Sequence, residues 1–249
     1  MVRKPGQSAH EKYEQLRRRW LRRMRRRFAV VSAVLLLIVI GYNVVGIELG
    51  RAWLWSSGAV TGALIVALMA MRESPPDYIG NWQLGAWGEE ATAKALNPLE
   101  HEGWRILHDL QHEHGNIDHV VVGPGGVFLL DSKWLIGDVD VHDDGLLVRR
   151  IEDPLLTYQR RLGPSARGAA AELSQRLKSA RVSSWVQPVI VVNGRFAIGI
   201  RAEKGVDYVG EDRLADFLRD RAIRLTPAEI DRVSAAVGRV YESAAPADA

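Results

Sequence analysis

The chain has 249 residues, no cysteine and a net charge of +3. The missing cysteine excludes disulfides and thiolate metal sites and fits a reducing compartment. Residues 1–27 hold 11 Lys/Arg against Glu11 and Glu14, a net of +9, which leaves −6 for the rest of the chain, so the high pI belongs to the N-terminal arm.

In the arm, Tyr13, Leu16, Trp20 and Met24 recur at helical spacing among arginines. The pattern suits a helix lying on anionic lipid, or simply a topology signal carrying solvated charge. Residues 28–47 and 52–71 each run uncharged for the length of a bilayer core, separated by Glu48-Leu49-Gly50-Arg51. They predict a transmembrane helical hairpin, in a cell membrane protein of the multi-pass kind. The basic cluster before it predicts a cytoplasmic N-terminus, and two crossings put the soluble domain on the same side. A cleaved signal peptide is the rival reading, weakened by the second apolar run that follows at once.

Residues 72–81, with Pro75 and Pro76, read as a linker. Residues 82–242 read as one soluble domain, and 243–249 as a disordered tail. A helix is predicted over 84–97, ending near Asn97-Pro98. On it Glu89, Thr92, Ala93 and Leu96 share the buried face, whereas Glu90 and Lys94 form an exposed pair. A buried glutamate asks for a partner; as a first-turn acid it would instead serve the helix dipole.

A strand over 103–110 leads into "GNIDHVVVGPGGVFLLDSKW", residues 115–134. Two apolar strands flank the turn Gly123-Pro124-Gly125-Gly126. This turn pairs Val122 with Val127, and counting outward sets Asp118 opposite Asp131, on one face with Lys133. Facing carboxylates repel, so a positive group must stand between them: Lys133, or a divalent cation.

A second hairpin turns at Asp144-Gly145. Residues 153–180 read as largely helical, broken or kinked at Gly163-Pro164. A buried strand follows around 183–194, then a short strand and helix over 206–220. The last helix opens on Thr226, Pro227 and Glu229, a capping box. The order predicts a mixed α/β layer, a central sheet covered by helices.

"GAWGEEATAKAL", then the 115–134 block, then a Pro-Leu-Leu segment with Gln159 and the strand "PVIVV" together resemble the nuclease-related domain (NERD) family over roughly residues 84–195. The resemblance implies a restriction-endonuclease-like fold of the PD-(D/E)xK class. It places Glu89 at the family's helix glutamate, Asp118 at its strand aspartate, and Asp131 and Lys133 at acid-x-lysine. Gln159 takes the family's helix glutamine. Two departures stand out: position 131 is Asp where Glu is usual, and Asp153 replaces an asparagine at a longer distance from the glutamine.

The chemistry of these residues agrees with that likeness. Phosphodiester hydrolysis needs a cation to offset charge on the phosphate and an activated water. Asp118, Asp131 and the Ser132 carbonyl offer oxygens for Mg²⁺ or Mn²⁺, and Glu89 completes the acidic pocket. Lys133 would orient the water or stabilise the transition state. The alternative is a structural salt-bridge cluster. Eight Arg/Lys between 149 and 181, against Glu152, Asp153 and Glu172, form either a phosphate-tracking stripe for DNA or RNA or a solvated helix face. Trp134 reads as core or as a base-stacking surface. The histidines at 101, 108, 112, 114, 119 and 142 match no zinc framework. The expected function is a membrane-anchored, Mg²⁺-dependent nuclease. Its rival is a non-catalytic membrane protein that keeps the fold as an interaction module for nucleic acid or protein.

Overall fold

A computed structural model describes residues 4–46, 51–73, 76–112, 115–151 and 157–242. The tail 243–249, His114, and Asp153 with its Pro-Leu-Leu segment lie outside the described residues. The chain divides into two compact units: Met1–His10 with Leu84–Ala249, and Glu11–Gln83.

The second unit is helical. Helix α1 (Gln7–Gly46) runs without interruption from the basic arm into the apolar stretch. Its alanines, leucines and arginines favour helix, and no proline interrupts them. Helix α2 (Arg51–Glu73) follows. Tyr42 Oη and Ser56 Oγ, 3.2 Å apart, link the two helices. Leu36, Leu37, Ile38, Val60, Ile65 and Val66 are exposed. The stretch Gln7–Val44 is long and apolar enough to cross a membrane; the apolar part of α2, Trp55–Ala70, is shorter.

Helix α3 (Asp77–Glu100) is longer than the predicted 84–97 at both ends. It starts inside the expected linker because the Pro76 carbonyl accepts the Ile79 amide at 2.8 Å and Asp77 suits the first turn. It passes through Pro98, which in a last turn forfeits a single backbone bond.

The sheet begins with β1 (Arg105–His112), β2 (Gly115–Gly123) and the 16-residue β3 (Gly126–Val141). The predicted register holds, with Val122 paired to Val127. The turn is tighter than expected, since Gly123 and Gly126 also pair and leave Pro124-Gly125 at the tip. A Cβ on Gly123 would lie 1.9 Å from the Trp104 ring, so this position needs a glycine for space.

Strand β4 (Gly145–Arg149) folds back on the far end of β3. The tip of this hairpin is Asp143-Asp144, one residue earlier than predicted. Both have positive φ, and His142 and Gly145 exchange backbone hydrogen bonds around them. Gly145 belongs to the strand, where a Cβ would meet the Arg160 carbonyl at 2.2 Å. That close neighbour is β5 (Thr157–Arg161), a strand where a helix was expected. Helix α4 (Gly163–Ser179) starts at the Gly-Pro pair, the break of the two outcomes expected there, because proline fits a first turn and not a helix interior.

Strand β6 (Val186–Arg195) pairs parallel to β3, and β8 (Val206–Gly210) pairs parallel to β6. Strand β7 (Ile200–Glu203), not expected from sequence, adds an antiparallel edge. Helices α5 (Leu214–Arg219) and α6 (Pro227–Glu242) close the fold. The order β1-β2-β3-β6-β8-β7 is the mixed sheet that was predicted. On one face, Leu173 and Leu177 of α4 and Val233 and Val237 of α6 pack on Val120, Val122 and Leu129. On the other, Leu96 and Leu99 of α3 and Leu214 and Leu218 of α5 pack on Val121, Phe128 and Leu130. The α6 capping box forms as predicted: Glu229 Oε2 accepts the Thr226 amide at 2.8 Å, and Thr226 Oγ1 accepts the Glu229 amide at 3.4 Å.

Candidate active site

The ladder between β2 and β3 ends at His119–Leu130. The next positions, Asp118 and Asp131, face each other in register but form no ladder pair. Instead Asp118 Oδ2 accepts the Ser132 amide at 2.7 Å, so a side chain of one strand takes a backbone donor of the other. The β1–β2 ladder has a gap at the same level. Pairs His108–His119 and Leu110–Ile117 leave Asp109 across from Asp118, and Asp109 has a positive φ. Three aspartates on adjacent strands thus line up where the sheet opens.

Helix α3 brings the fourth acid. Glu89, Thr92, Ala93 and Leu96 are all buried, as the helical spacing required, while Glu90 and Lys94 are exposed. Thr92 Oγ1 accepts Ser132 Oγ at 2.9 Å and Asn193 Nδ2 at 3.3 Å, clamping the helix to β3 and β6. Gly88 permits the close approach, since a Cβ there would lie 3.3 Å from the Trp134 amide.

The electrostatics show crowding of negative charge. Burial, then Asp109 and Asp131, push Glu89 up to about 7, against the Gly6 amide and Lys133. Burial, then Asp131 and Glu89, raise Asp118 well above the usual carboxylate range. Lys133 Nζ contacts Asp131 Oδ1 directly. Burial pulls the Lys133 ammonium down, but Asp131 and Asp118 outweigh it and leave the group raised. It is therefore a cation at physiological pH and not a base.

Four of the five predicted catalytic residues, Glu89, Asp118, Asp131 and Lys133, act on one another in this cluster. Gln159 is placed differently. It lies on exposed β5, and its Nε2 donates to the His142 carbonyl at 3.1 Å. Its neighbour Arg160 is the residue whose charge reaches Lys133. Trp134 is a surface residue instead of core; its ring meets that of Trp87 edge-on, with centroids 6.1 Å apart.

Asp109 went unrecognised in the sequence, although extending the register by one strand would have found it opposite Asp118. His119, fully buried, sits with Nδ1 2.8 Å from that of His108. Burial and His108 pull it down to about 3, so it is neutral.

The donor set suits a hard divalent cation: carboxylate oxygens in excess of local positive charge. Among the described residues, no three His, Asp or Glu side chains converge closely enough to hold an ion by themselves. Any ion here would need water to complete its shell.

The eight-stranded mixed sheet flanked by helices is an α/β architecture consistent with a nuclease-like fold. Residues 84–193 match the family model described as nuclease-related domain (NERD). No curated protein and no solved structure matches the chain.

Proposed function

We propose that the protein is a membrane-anchored, metal-dependent nuclease acting on DNA or RNA. The observation that carries this reading is the gathering of Asp118, Asp131, Lys133 and Glu89 at the strand opening inside the matched domain. Asp118 and Asp131 would hold Mg²⁺ or Mn²⁺, with the Ser132 carbonyl and Glu89 as further oxygens. The ion would supply charge neutralisation at the scissile phosphate and a water of lowered pKa.

The chain's own residues do the rest. The Ser132 amide fixes one Asp118 oxygen and leaves the other to face the site. Lys133, held as a cation, orients a water and offsets charge growing on the phosphate. Gln159 would act from the β4–β5 edge, next to Arg160 and Arg161, as part of a phosphate-tracking rim. The uncovered apolar surface of α1 supports anchoring in a lipid bilayer. The basic arm would rest on anionic lipid, with the domain on the cytoplasmic side of the cell membrane in a two-span topology.

The test is cleavage of plasmid, single-stranded DNA and RNA by the full chain in detergent micelles with Mg²⁺ or Mn²⁺. Asp118→Ala and Lys133→Ala should each lower the rate by about 10²-fold or more. Undiminished activity in both variants would refute this site. A second reading is favoured by one observation, the lack of a preformed three-ligand metal cage among the described residues. There the fold serves as an interaction module, and nucleic acid binds without being cut.

A further inference from the structure

The N-terminal segment ahead of the long helix is seated on the acidic cluster. The Gly6 amide donates to Glu89 Oε2 at 3.0 Å, a buried hydrogen bond. Two residues on, the Ser8 amide donates to Asp109 Oδ2 at 3.0 Å and Ser8 Oγ to Asp109 Oδ1 at 2.5 Å. Asn116 Nδ2 contacts Ser8 Oγ and donates to Asp109 Oδ1 at 2.9 Å, closing the arrangement from β2. Asp109 is 2% exposed and Ala9 5%, so the contact excludes water.

The fit depends on Gly6 in two ways. Its φ is +69°, a conformation that side chains rarely adopt, and a Cβ would lie 2.9 Å from the Ala86 carbonyl, one turn before Glu89 on α3. A backbone that must approach a helix this closely, in this conformation, is specified by sequence and not left by chance. The bonds also match in charge. The first amides of a helix have no partners within it, and carboxylates are their favoured acceptors.

We infer that residues 4–10 form an autoinhibitory strap, an intrachain ligand whose Gly6 and Ser8 donors occupy Glu89 and Asp109 and compete with a divalent cation for the acidic site. This deepens the nuclease reading and rests on it. A cation that recruits Glu89 draws on the carboxylate that Gly6 now engages, so occupancy of the strap and of the metal oppose each other.

The test uses the full chain in detergent micelles and Mn²⁺ as the probe, its binding followed by electron paramagnetic resonance. Gly6→Val cannot seat the strap, and it alters no side chain of the catalytic set, since only the Gly6 backbone amide meets Glu89. It should bind Mn²⁺ about tenfold more tightly than wild type, the effect of freeing one or two charge-assisted hydrogen bonds. Without any substitution, amide exchange at residues 6–10 should be slow in the metal-free protein and accelerate when Mn²⁺ is added.

Asp118→Ala serves as the control for the site. Equal Mn²⁺ affinity in wild type and Gly6→Val, abolished by Asp118→Ala, would overturn the strap and leave the metal site standing. Binding that leaves exchange at residues 6–10 unchanged would do the same. An absence of Mn²⁺ binding in every form, strap-released included, would overturn the site reading and the competition with it.

Discussion

Replacing Glu89 by Gln isolates the cost of one buried charge. Burial and the neighbouring aspartates push the glutamate up to about 7 in the fold, from an ordinary 4.5. Between those two values the folded chain holds a proton that the unfolded chain has already lost. Stability is therefore fully present below about pH 4.5 and drains away as pH rises through about 7. The rise from 4.5 to about 7 corresponds to about 3 kcal/mol as the most that ionised Glu89 costs near pH 8. Glutamine keeps an oxygen for the Gly6 amide and cannot ionise. The two proteins should melt together near pH 4.5, and Glu89→Gln should melt higher by up to ~6–12 °C near pH 8, at about 2–4 °C per kcal/mol. Melting of the full chain in micelles, followed by tryptophan fluorescence across this range, measures the difference. A gap that does not change with pH would refute the assignment of Glu89 as a charge held against its preference. Adding Mg²⁺ near pH 8 should narrow the gap, because a cation rewards the carboxylate and not the amide.

Thr226→Ala removes the side-chain half of the α6 capping box and should cost about 1 kcal/mol, read as a fall in melting temperature of ~2–4 °C. Leu173→Ala, at a fully buried position facing β2 and β3, should cost about 2–5 kcal/mol in denaturant unfolding. Gly123→Ala drives a methyl group into the Trp104 ring and should destabilise by about 1–3 kcal/mol, with an altered tryptophan emission in the folded state. Gly145→Ala collides with the Arg160 carbonyl; amide exchange should accelerate along β5 while the β2–β3 ladder keeps its protection.

The elements with a strong local period were legible in the sequence. Val120 to Val122 and Val127 to Leu130, joined by Gly-Pro-Gly-Gly, fix one register, and that register alone puts Asp118 across from Asp131. The face of α3 was legible for the same reason, since Leu96 and Glu89 are seven residues apart. Strand β5 was not, because all five of its residues are exposed and its pairing comes from β4, a contact that no local pattern encodes. Strand β7 was missed for a similar reason: four mostly exposed residues gain their conformation from β8. The Gly6–Glu89 contact joins residues 83 apart, and only the folded chain brings them together. Asp109 lay in between, within reach of a register count but hidden in a strand that otherwise reads as ordinary.

The parallel pairing of β3 with β6 bears on how the chain is born. Val127 to Trp134 leave the ribosome well before their partners Val186 to Asn193. During that interval a mostly buried strand of Val, Phe and Leu offers an unsatisfied edge to any neighbouring nascent chain. Its premature docking is resisted by the carboxylate and ammonium toward one end of that edge, Asp131 and Lys133, so the residues of the candidate pocket also suit a gatekeeper's place while synthesis is under way.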